Sequence, residues 1–366
     1  MKSTCLLPYC PTPVNSGARS IFRKHLDLLK QMGDCSILSA KARPVGFGWS
    51  QSAIQELIGQ GYSVSFTERG LRNVIQRYYG LLYASFFKLL KFERAFGHSN
   101  PYHRYAFDPE WLYDNTMGKD LCEIHYSYWA RFRTACPKVV IVHDLWSDIM
   151  WEGPTQETKE LAEADLLVTV SYDDLKKLVA RGLKNVHWSP PCVAEKQFPD
   201  TSDVCVVGSA NRHNIEGLQW LRKGLNNGVG GSVKCYGEIG KIVQTDQRFL
   251  SLGRYKDLYD PYEKCGIVLM LTTGGTGVQI KGVEALASGR AVVARKGAMR
   301  GLPTDPAGWI EVDTVVDMCR VLKELQNDTI ARRAAMERAR TYYRKHLHRD
   351  LIMNSIKQKY EKLRCI

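Results

Sequence analysis

The chain has 366 residues, of which 44% are hydrophobic and 24% charged, and its formal net charge at pH 7 is +13. These proportions are typical of a soluble globular protein and exclude a disordered or fibrous chain, and the length suits two domains of about 150–200 residues each. The positive charge is compatible with three phosphate-bearing partners: a nucleotide-sugar, an anionic membrane surface or a nucleic acid. A basic surface without function is the alternative.

The eleven cysteines are scattered along the chain, with no Cys-x-x-Cys pair and no Cys/His metal spacing. This pattern predicts reduced thiols that pack as small hydrophobic side chains, without a disulfide or a structural zinc. No apolar segment reaches the length of a membrane span, and Pro8, Pro11 and Pro13 interrupt the apolar start of the chain, which makes it a poor signal peptide. We therefore expect a cytoplasmic protein.

The first elements alternate between strand and helix. Residues 4–10 predict a short strand and residues 11–17 a turn, after which apolar side chains recur at helical spacing from Arg19 until Gly33 closes the helix. A second strand follows at residues 36–38. This β-α-β order is typical of a doubly wound α/β domain.

Residues 69–97 combine apolar side chains at helical spacing with six Arg and Lys residues and several Tyr and Phe residues. The pattern predicts an amphipathic basic helix. Such a helix packs its apolar side on the first domain, or it lies at an anionic membrane surface, where aromatic and basic side chains contact the lipid headgroups.

Three further apolar segments, residues 121–125, 139–143 and 166–170, predict parallel strands that are covered on both faces. His143 stands at the carboxyl end of the second strand, which is where open α/β sheets hold ligands. A structural hydrogen bond is the alternative role for this histidine. Asp144, the next residue, could orient His143, cap the following helix or serve as a base.

Residues 187–202 are rich in proline and polar side chains and predict a linker. A second domain then begins with a strand at residues 204–207, a glycine turn and an amphipathic helix. Arg212, at the start of that helix, is a candidate to reach a diphosphate, with a solvated side chain as the alternative. Residues 234–237 predict the end of another strand, and residues 315–364 are helical in pattern.

The strongest chemical signal is a glycine-rich turn between a buried strand, residues 267–271, and a short helix. Residues 272–277 contain three glycines, which allow positive φ and close backbone approach. The helix that follows presents free N–H groups and its positive dipole end to the turn, which favours a phosphate. Lys281 adds a charge for a diphosphate, and Glu284 could accept hydrogen bonds from a diol such as ribose. A plain turn with a solvated lysine is the alternative, because the stretch matches neither the P-loop nor G-x-G-x-x-G.

The same stretch resembles the donor-binding signature of GT-B glycosyltransferases of the family-4-like group, in which a small-residue loop precedes K-x-x-E-A-x-A-x-G-x-x-V-V-A. The residues that match in order are Lys281, Glu284, Ala285, Ala287, Gly289, Val292, Val293 and Ala294. Many members carry an additional glutamate that contacts the transferred sugar, and Thr276 stands at its position here. The resemblance therefore leaves open whether the sugar is transferred with retention or inversion.

The resemblance implies an α/β protein with the GT-B fold, in which two Rossmann-like doubly wound domains face a cleft and the C-terminal helix returns to the first domain. It implies an acceptor-binding domain at residues 1–190, a nucleotide-sugar-binding domain at 191–345 and a returning helix at 346–366. His143 and Asp144 would be the catalytic residues, with the neutral His143 imidazole donating to the donor sugar. The donor-binding residues that it implies are Gly17, Gly208, Ser209, Arg212, Tyr255, Gly275, Thr276, Gly277, Val278, Gln279, Lys281 and Glu284.

The resemblance thus implies a glycosyltransferase that moves a sugar from a UDP- or GDP-sugar to a glycan or lipid-linked glycan, with retention, at the inner membrane face. It implies no cofactor and no metal, because no Asp-x-Asp pair accompanies the diphosphate site. Two other functions stay open: a glycosyltransferase that modifies DNA bases, and a non-catalytic module that binds a nucleotide or a glycan.

Overall fold

The computed structural model describes residues 1–14, 17–40, 49–67, 107–149, 154–225, 232–304 and 306–364. The chain divides into two compact units, of which the first comprises Met1–Pro191 with Met353–Ile366 and the second comprises Cys192–Ile352. The basic helix predicted at residues 69–97 lies outside the described residues. No helix in the described residues is both long and apolar enough to span a membrane.

The first unit is built on a seven-stranded parallel sheet with the strand order β3-β2-β1-β4-β5-β6-β7. The strands are β1 (Lys2–Leu6), β2 (Asp34–Ala40), β3 (Ser63–Thr67), β4 (Leu121–His125), β5 (Lys138–Val142), β6 (Leu166–Thr169) and β7 (Val186–Trp188). The helices are α1 (Gly17–Met32), α2 (Gln51–Gly59), α3 (Pro109–Thr116), α4 (Trp146–Ile149), α5 (Pro154–Leu161) and α6 (Tyr172–Ala180).

The second unit is built on a six-stranded parallel sheet with the order β10-β9-β8-β11-β12-β13. Its strands are β8 (Val204–Val207), β9 (Val233–Tyr236), β10 (Phe249–Gly253), β11 (Ile267–Met270), β12 (Ala291–Arg295) and β13 (Ile310–Val312). The helices that follow in the chain are α7 (Arg212–Gly224), α8 (Asp260–Glu263), α9 (Ile280–Ala287), α10 (Val315–Asn327), α11 (Thr329–His346) and α12 (Arg349–Leu363). Residues of α12 from Met353 onward belong to the first unit.

In each sheet all strands run in the same direction, so the loops that follow them lie together at the carboxyl ends of the strands, which we call the carboxyl edge. In the first unit, β4 and β5 pair in parallel with His125 opposite Ile141, so His143 begins the loop beside the end of β4. Every residue of β4 and β5 is buried. In the second unit, β8 and β12 flank β11 on either side. The glycine loop after β11 therefore emerges between the loops that follow its two neighbours.

Two boundaries differ from the sequence prediction. The first strand spans Lys2–Leu6 where residues 4–10 were expected, because Pro8 lacks the N–H that would continue the ladder to β2. The linker predicted from residue 187 begins inside a strand, since Val186–Trp188 pairs with β6 at the edge of the sheet.

Candidate functional site

The glycine loop of the second unit runs from the end of β11 to the N-terminus of α9, as predicted. The N-cap of α9 is Gln279, whose side chain makes no cap hydrogen bond to the helix. Gly275 and Gly277 both have positive φ, 97° and 68°, which bend the loop away from the sheet. The predicted residue Thr276 is exposed at the tip of this bend. The first turn of α9 thus offers backbone donors at the carboxyl edge of the sheet.

The helix α7 lies against the same loop and connects it to the turn after β8. Asn214 accepts a hydrogen bond from Thr272 Oγ1 at 2.8 Å, and its Nδ2 donates to the backbone oxygen of Ser209 at 2.9 Å. A Cβ added to Gly274 would lie 2.4 Å from Nδ1 of His213, so any larger residue here would have to displace the His213 side chain. The structure therefore brings the predicted Gly208–Ser209 turn next to the glycine loop.

Lys281 and Glu284 form the polar centre of this edge. Nζ of Lys281 lies 3.0 Å from Oε2 of Glu284 and donates to the hydroxyl of Tyr255 at 2.9 Å. Tyr262, from α8, donates to Oε2 of Glu284 at 2.8 Å. Three of these residues, Tyr255, Lys281 and Glu284, were predicted as donor-binding residues, and the structure brings them into contact. Tyr262 was not predicted. A tyrosine in a short helix that contains proline gives no sequence signal that its hydroxyl will donate to a buried carboxylate.

Lys281 and Glu284 differ in the exposure of their side chains and in the balance of effects on their pKa values. The Glu284 side chain is 5% exposed, and burial raises its pKa while the charge of Lys281 opposes that rise. Burial also acts to lower the pKa of Lys281, but the Glu284 carboxylate and the Tyr255 hydroxyl outweigh it, and the pKa of Lys281 is raised. Since the Lys281 side chain is 33% exposed, its ammonium group remains charged and accessible to an anion.

Arg300 is a cation of this edge that sequence reasoning missed. It donates to the backbone oxygen of Thr272 at 3.0 Å and, when the amide oxygen of Gln279 faces it, to Gln279 at 2.5 and 2.8 Å. A Cβ on Gly275 would lie 2.9 Å from Nη2 of Arg300. Arg300 thus braces the glycine loop at both ends. The available signal was its position shortly after β12, at the same edge of the sheet.

The remaining predicted residues of the second unit lie around this centre. Gly277 and Val278 pack against Gly301, where a Cβ would lie 2.9 Å from Cα of Val278. Arg212 begins α7, and its Nε donates to Glu216 at 2.8 Å while 74% of its side chain is exposed. This hydrogen bond connects Arg212 to its own helix.

In the first unit, His143 lies at the carboxyl edge as predicted and is 6% exposed. Its Nε2 is 2.8 Å from Nδ1 of His125, whose Nε2 is in turn 2.9 Å from Oε1 of Glu123. The ring of Tyr126 stacks on the His143 ring, with 4.3 Å between the ring centroids. Tyr126 is the one non-glycine residue with positive φ in the described residues, at 82°. This sparsely populated conformation places its ring on the imidazole.

Glu123 is completely buried and accepts hydrogen bonds from several elements. Oε2 accepts from the hydroxyl of Tyr360, which belongs to α12, and lies 2.9 Å from Nδ1 of His25 in α1. The thiol of Cys5 lies 3.7 Å from Oε1. Cys5, Glu123 and His125 also have the spacing of a possible metal-ligand set, but the carboxylate oxygens are already occupied by these donors.

Burial sets the protonation of this cluster. Burial lowers the pKa of His25 to about 4 and that of His143 well below its ordinary value. Burial acts to raise the pKa of Glu123, but the neighbouring His25 and His125 outweigh it, and the pKa of Glu123 is well below its ordinary value. Glu123 is therefore a carboxylate, with neutral imidazoles at His25 and His143.

The other two predicted residues of the first unit are Gly17 and Asp144. Gly17 is the first residue of α1. Asp144 was expected to orient His143, cap the next helix or act as a base. Glu157 accepts from the backbone N–H of Trp146 at 2.5 Å and of Ser147 at 3.2 Å, so Glu157 caps α4.

The two parallel sheets with their interleaved helices define a two-domain α/β protein with the GT-B fold, and the predicted fold class is confirmed. No family model and no curated protein sequence matches the chain. Solved structures match it over nearly its whole length. HepE from Anabaena, in complex with UDP and glucose, is 13% identical over 99% of this chain and 100% of that chain, with a TM-score of 0.67.

Two further structures give the same result. Sucrose-phosphate synthase from Thermosynechococcus elongatus is 13% identical over 99% of both chains, with a TM-score of 0.68. A variant of TarM from S. aureus, in complex with fondaparinux, α-GlcNAc-glycerol and UDP, is 13% identical over 100% of both chains, with a TM-score of 0.65. At these identities the similarity establishes the fold alone.

Proposed function

We propose that this protein is a glycosyltransferase that moves a sugar from a nucleotide-sugar donor to a glycan or lipid-linked glycan acceptor. The observation that carries the proposal is the charged centre at the N-terminus of α9, where Lys281 and Glu284 lie beneath a glycine loop on a GT-B fold. HepE and TarM were both solved with UDP, which supports a nucleoside diphosphate as the ligand of this edge.

The diphosphate would be held by the backbone donors of the first turn of α9 and by the ammonium group of Lys281. In sugar transfer, negative charge grows on the departing nucleoside diphosphate. Fixed donors aimed at that charge stabilise the transition state more than the ground state. Arg300 contributes by holding the glycine loop in place through Thr272 and Gln279. In this proposal no metal ion is required, because the cationic side chain and the helix N-terminus supply the positive charge.

The nucleoside would lie beside the diphosphate. Glu284 would accept hydrogen bonds from the ribose diol through Oε1, since Oε2 already accepts from Tyr262. Tyr255 is anchored to Lys281 through its hydroxyl, and its ring lies edge-on to Tyr236 with centroids 6.4 Å apart. An aromatic pair fixed in this way supports a role in holding the base.

His143 is proposed to contact the transferred sugar, and Asp144 is retained as the candidate base of an inverting enzyme. We propose that the sugar is transferred with retention. Thr276 stands where the resemblance leads us to expect a sugar-binding glutamate, so the stereochemical outcome must be measured by analysis of the product anomer. Peripheral attachment to the inner membrane face through residues 69–97 is a further part of the proposal.

The experiment that tests the proposal is a thermal-shift panel of UDP-, GDP- and ADP-sugars. A ligand that binds only the folded protein at 100 times its Kd stabilises it by about 2.7 kcal/mol, which raises the melting temperature measurably. We expect one class of nucleotide to raise it and the corresponding free nucleoside diphosphate to act similarly. Stabilisation by duplex DNA at low salt, without any response to nucleotide-sugars, would instead support DNA-base modification.

A further inference from the structure

The Glu-His-His relay, which we define as Glu123, His125 and His143, contains a hydrogen-bond order that fixes the tautomer of His143. Glu123 is a buried carboxylate and can only accept hydrogen bonds. Nε2 of His125, 2.9 Å from Oε1 of Glu123, must therefore carry a proton. With this single proton on His125, its other nitrogen is an acceptor, and Nδ1 of His125 accepts from Nε2–H of His143 at 2.8 Å.

The remaining nitrogen of the relay is Nδ1 of His143. With its proton on Nε2, the neutral His143 has a lone pair on Nδ1. No described residue donates a hydrogen bond to this atom, and it is not among the buried polar atoms that lack a partner. Nδ1 of His143 is thus an acceptor that receives no hydrogen bond from the described residues.

The surroundings of the relay hold its geometry. The carboxylate of Glu123 is fixed on its other side by Tyr360 from α12 and by His25 from α1. The ring of Tyr126 stacks on His143 with an angle of 18° between the two planes, which fixes the direction of Nδ1. Phe22 packs edge-on against both imidazoles of the relay, with centroids 4.9 and 5.3 Å away.

We propose that Glu123 and His125 are positioning residues that set His143 as a hydrogen-bond acceptor for a hydroxyl group of the substrate. This inference rests on the proposed function and reverses the direction expected from sequence, in which His143 donated to the sugar. The ligand recognised is a hydroxyl donor, such as a sugar hydroxyl. A bare ring oxygen or a fluorine substituent, which has no proton to donate, would not be accepted.

The experiment is nitrogen NMR of the enzyme labelled at its nine histidines, with the His143 resonances assigned by their loss in His143→Gln. In the wild type we expect a protonated Nε2 and an unprotonated Nδ1 at His143. A protonated Nδ1 would overturn the inference, because it would mean that His125 carries an extra proton and that His143 donates outward. This measurement needs no substrate, and the variant serves only to assign the resonances.

Glu123→Gln tests the cause. Tyr360 and His25 keep the amide oxygen on their side, so the amide N–H₂ turns to His125 and makes its Nε2 an acceptor. Both imidazoles then change tautomer, and His143 presents an N–H. We expect this reversal together with a loss of kcat of about 10- to 100-fold at unchanged nucleoside diphosphate affinity. An unchanged tautomer in a folded Glu123→Gln protein would overturn the inference.

The matched control is Glu157→Gln, which alters another buried glutamate of the first unit outside the relay. It should leave the His143 tautomer as in the wild type even if stability falls. The two proposals fail separately. If the wild type and Glu123→Gln transfer sugar equally well, the positioning role is wrong while the proposed function stands. If the tautomers are as expected but no nucleotide-sugar binds, the proposed function is wrong while the tautomer assignment stands.

Discussion

At the scale of single residues, the candidate site of the second unit centres on one ammonium group. Lys281→Ala should weaken binding of the nucleoside diphosphate by about 10- to 100-fold, because a charge-assisted contact contributes about 1.5–3 kcal/mol. Titration calorimetry measures the affinity. Glu284 also loses its partner in this variant, so the melting temperature should be recorded alongside.

The matched control for Lys281 is Lys234→Ala, which removes the same charge from the second unit. Lys234 lies near the amino end of β9 and pairs at 2.8 Å with Asp203, which immediately precedes β8. This ion pair therefore lies at the amino ends of the strands, whereas Lys281 lies at their carboxyl ends. Its loss should leave nucleotide affinity unchanged. Equal affinity in the wild type and Lys281→Ala would remove Lys281 from the site.

Residues that were predicted from sequence belong to short motifs, whereas the residues that were missed depend on contacts between distant parts of the chain. Lys281 and Glu284 stand three residues apart on one helix, so a single motif carries both. Glu123 and His125 left a local signal that could have been used, namely two polar residues at alternate positions of a buried strand. Tyr360 could not have been found, since it contacts Glu123 across 237 positions of sequence.

At the scale of elements, the strands predicted from sequence all lie in the interior of their sheets, and the edge strands β3, β7, β10 and β13 were not predicted. Interior strands are covered on both faces and read as continuous apolar segments. An edge strand such as β10 alternates, with Leu250 46% and Leu252 42% exposed. Both of its leucines are exposed and only Phe249 is buried, so the segment lacks the continuous apolar run of an interior strand.

The predicted basic helix at residues 69–97 carries its own test. Replacement of Arg77, Lys88 and Lys91 by Gln should release the protein from anionic vesicles, since each basic residue near such a surface contributes about 1 kcal/mol. Turnover of a soluble acceptor analogue should stay unchanged. Sedimentation with vesicles, with and without anionic lipid, measures the effect. A wild-type protein that never sediments with anionic vesicles would show that this segment has no membrane role.

At the scale of the whole molecule, the buried histidines make stability depend on pH. The pKa of His25 is lowered by burial to about 4, whereas the unfolded chain has its ordinary value near 6.5. Between these values the unfolded state binds more protons, so stability is full above pH 6.5 and falls as the pH drops towards 4. The expected loss from His25 is about 3 kcal/mol.

Thermal unfolding at a series of pH values between 7.5 and 4.5 measures this loss. His25→Asn keeps a donor for Glu123 but cannot titrate, so the melting temperature of this variant should fall less steeply with acid. Some slope should remain, because burial also lowers the pKa of His187 to about 4. Identical slopes in the wild type and His25→Asn would show that His25 does not titrate as described.

Sugar transfer from a nucleotide-sugar is tested most directly by comparing the wild type with His143→Ala in two measurements, nucleoside diphosphate affinity and the rate of nucleoside diphosphate release from the bound donor. The wild type should release nucleoside diphosphate, and faster with acceptor present. His143→Ala should bind the nucleoside diphosphate with unchanged affinity but lose most of its turnover, because the proposed role of the histidine is to contact the sugar and not the nucleotide. Near-normal turnover in His143→Ala would make this histidine structural, and a wild type that binds and cleaves no nucleotide-sugar would contradict the proposed function itself.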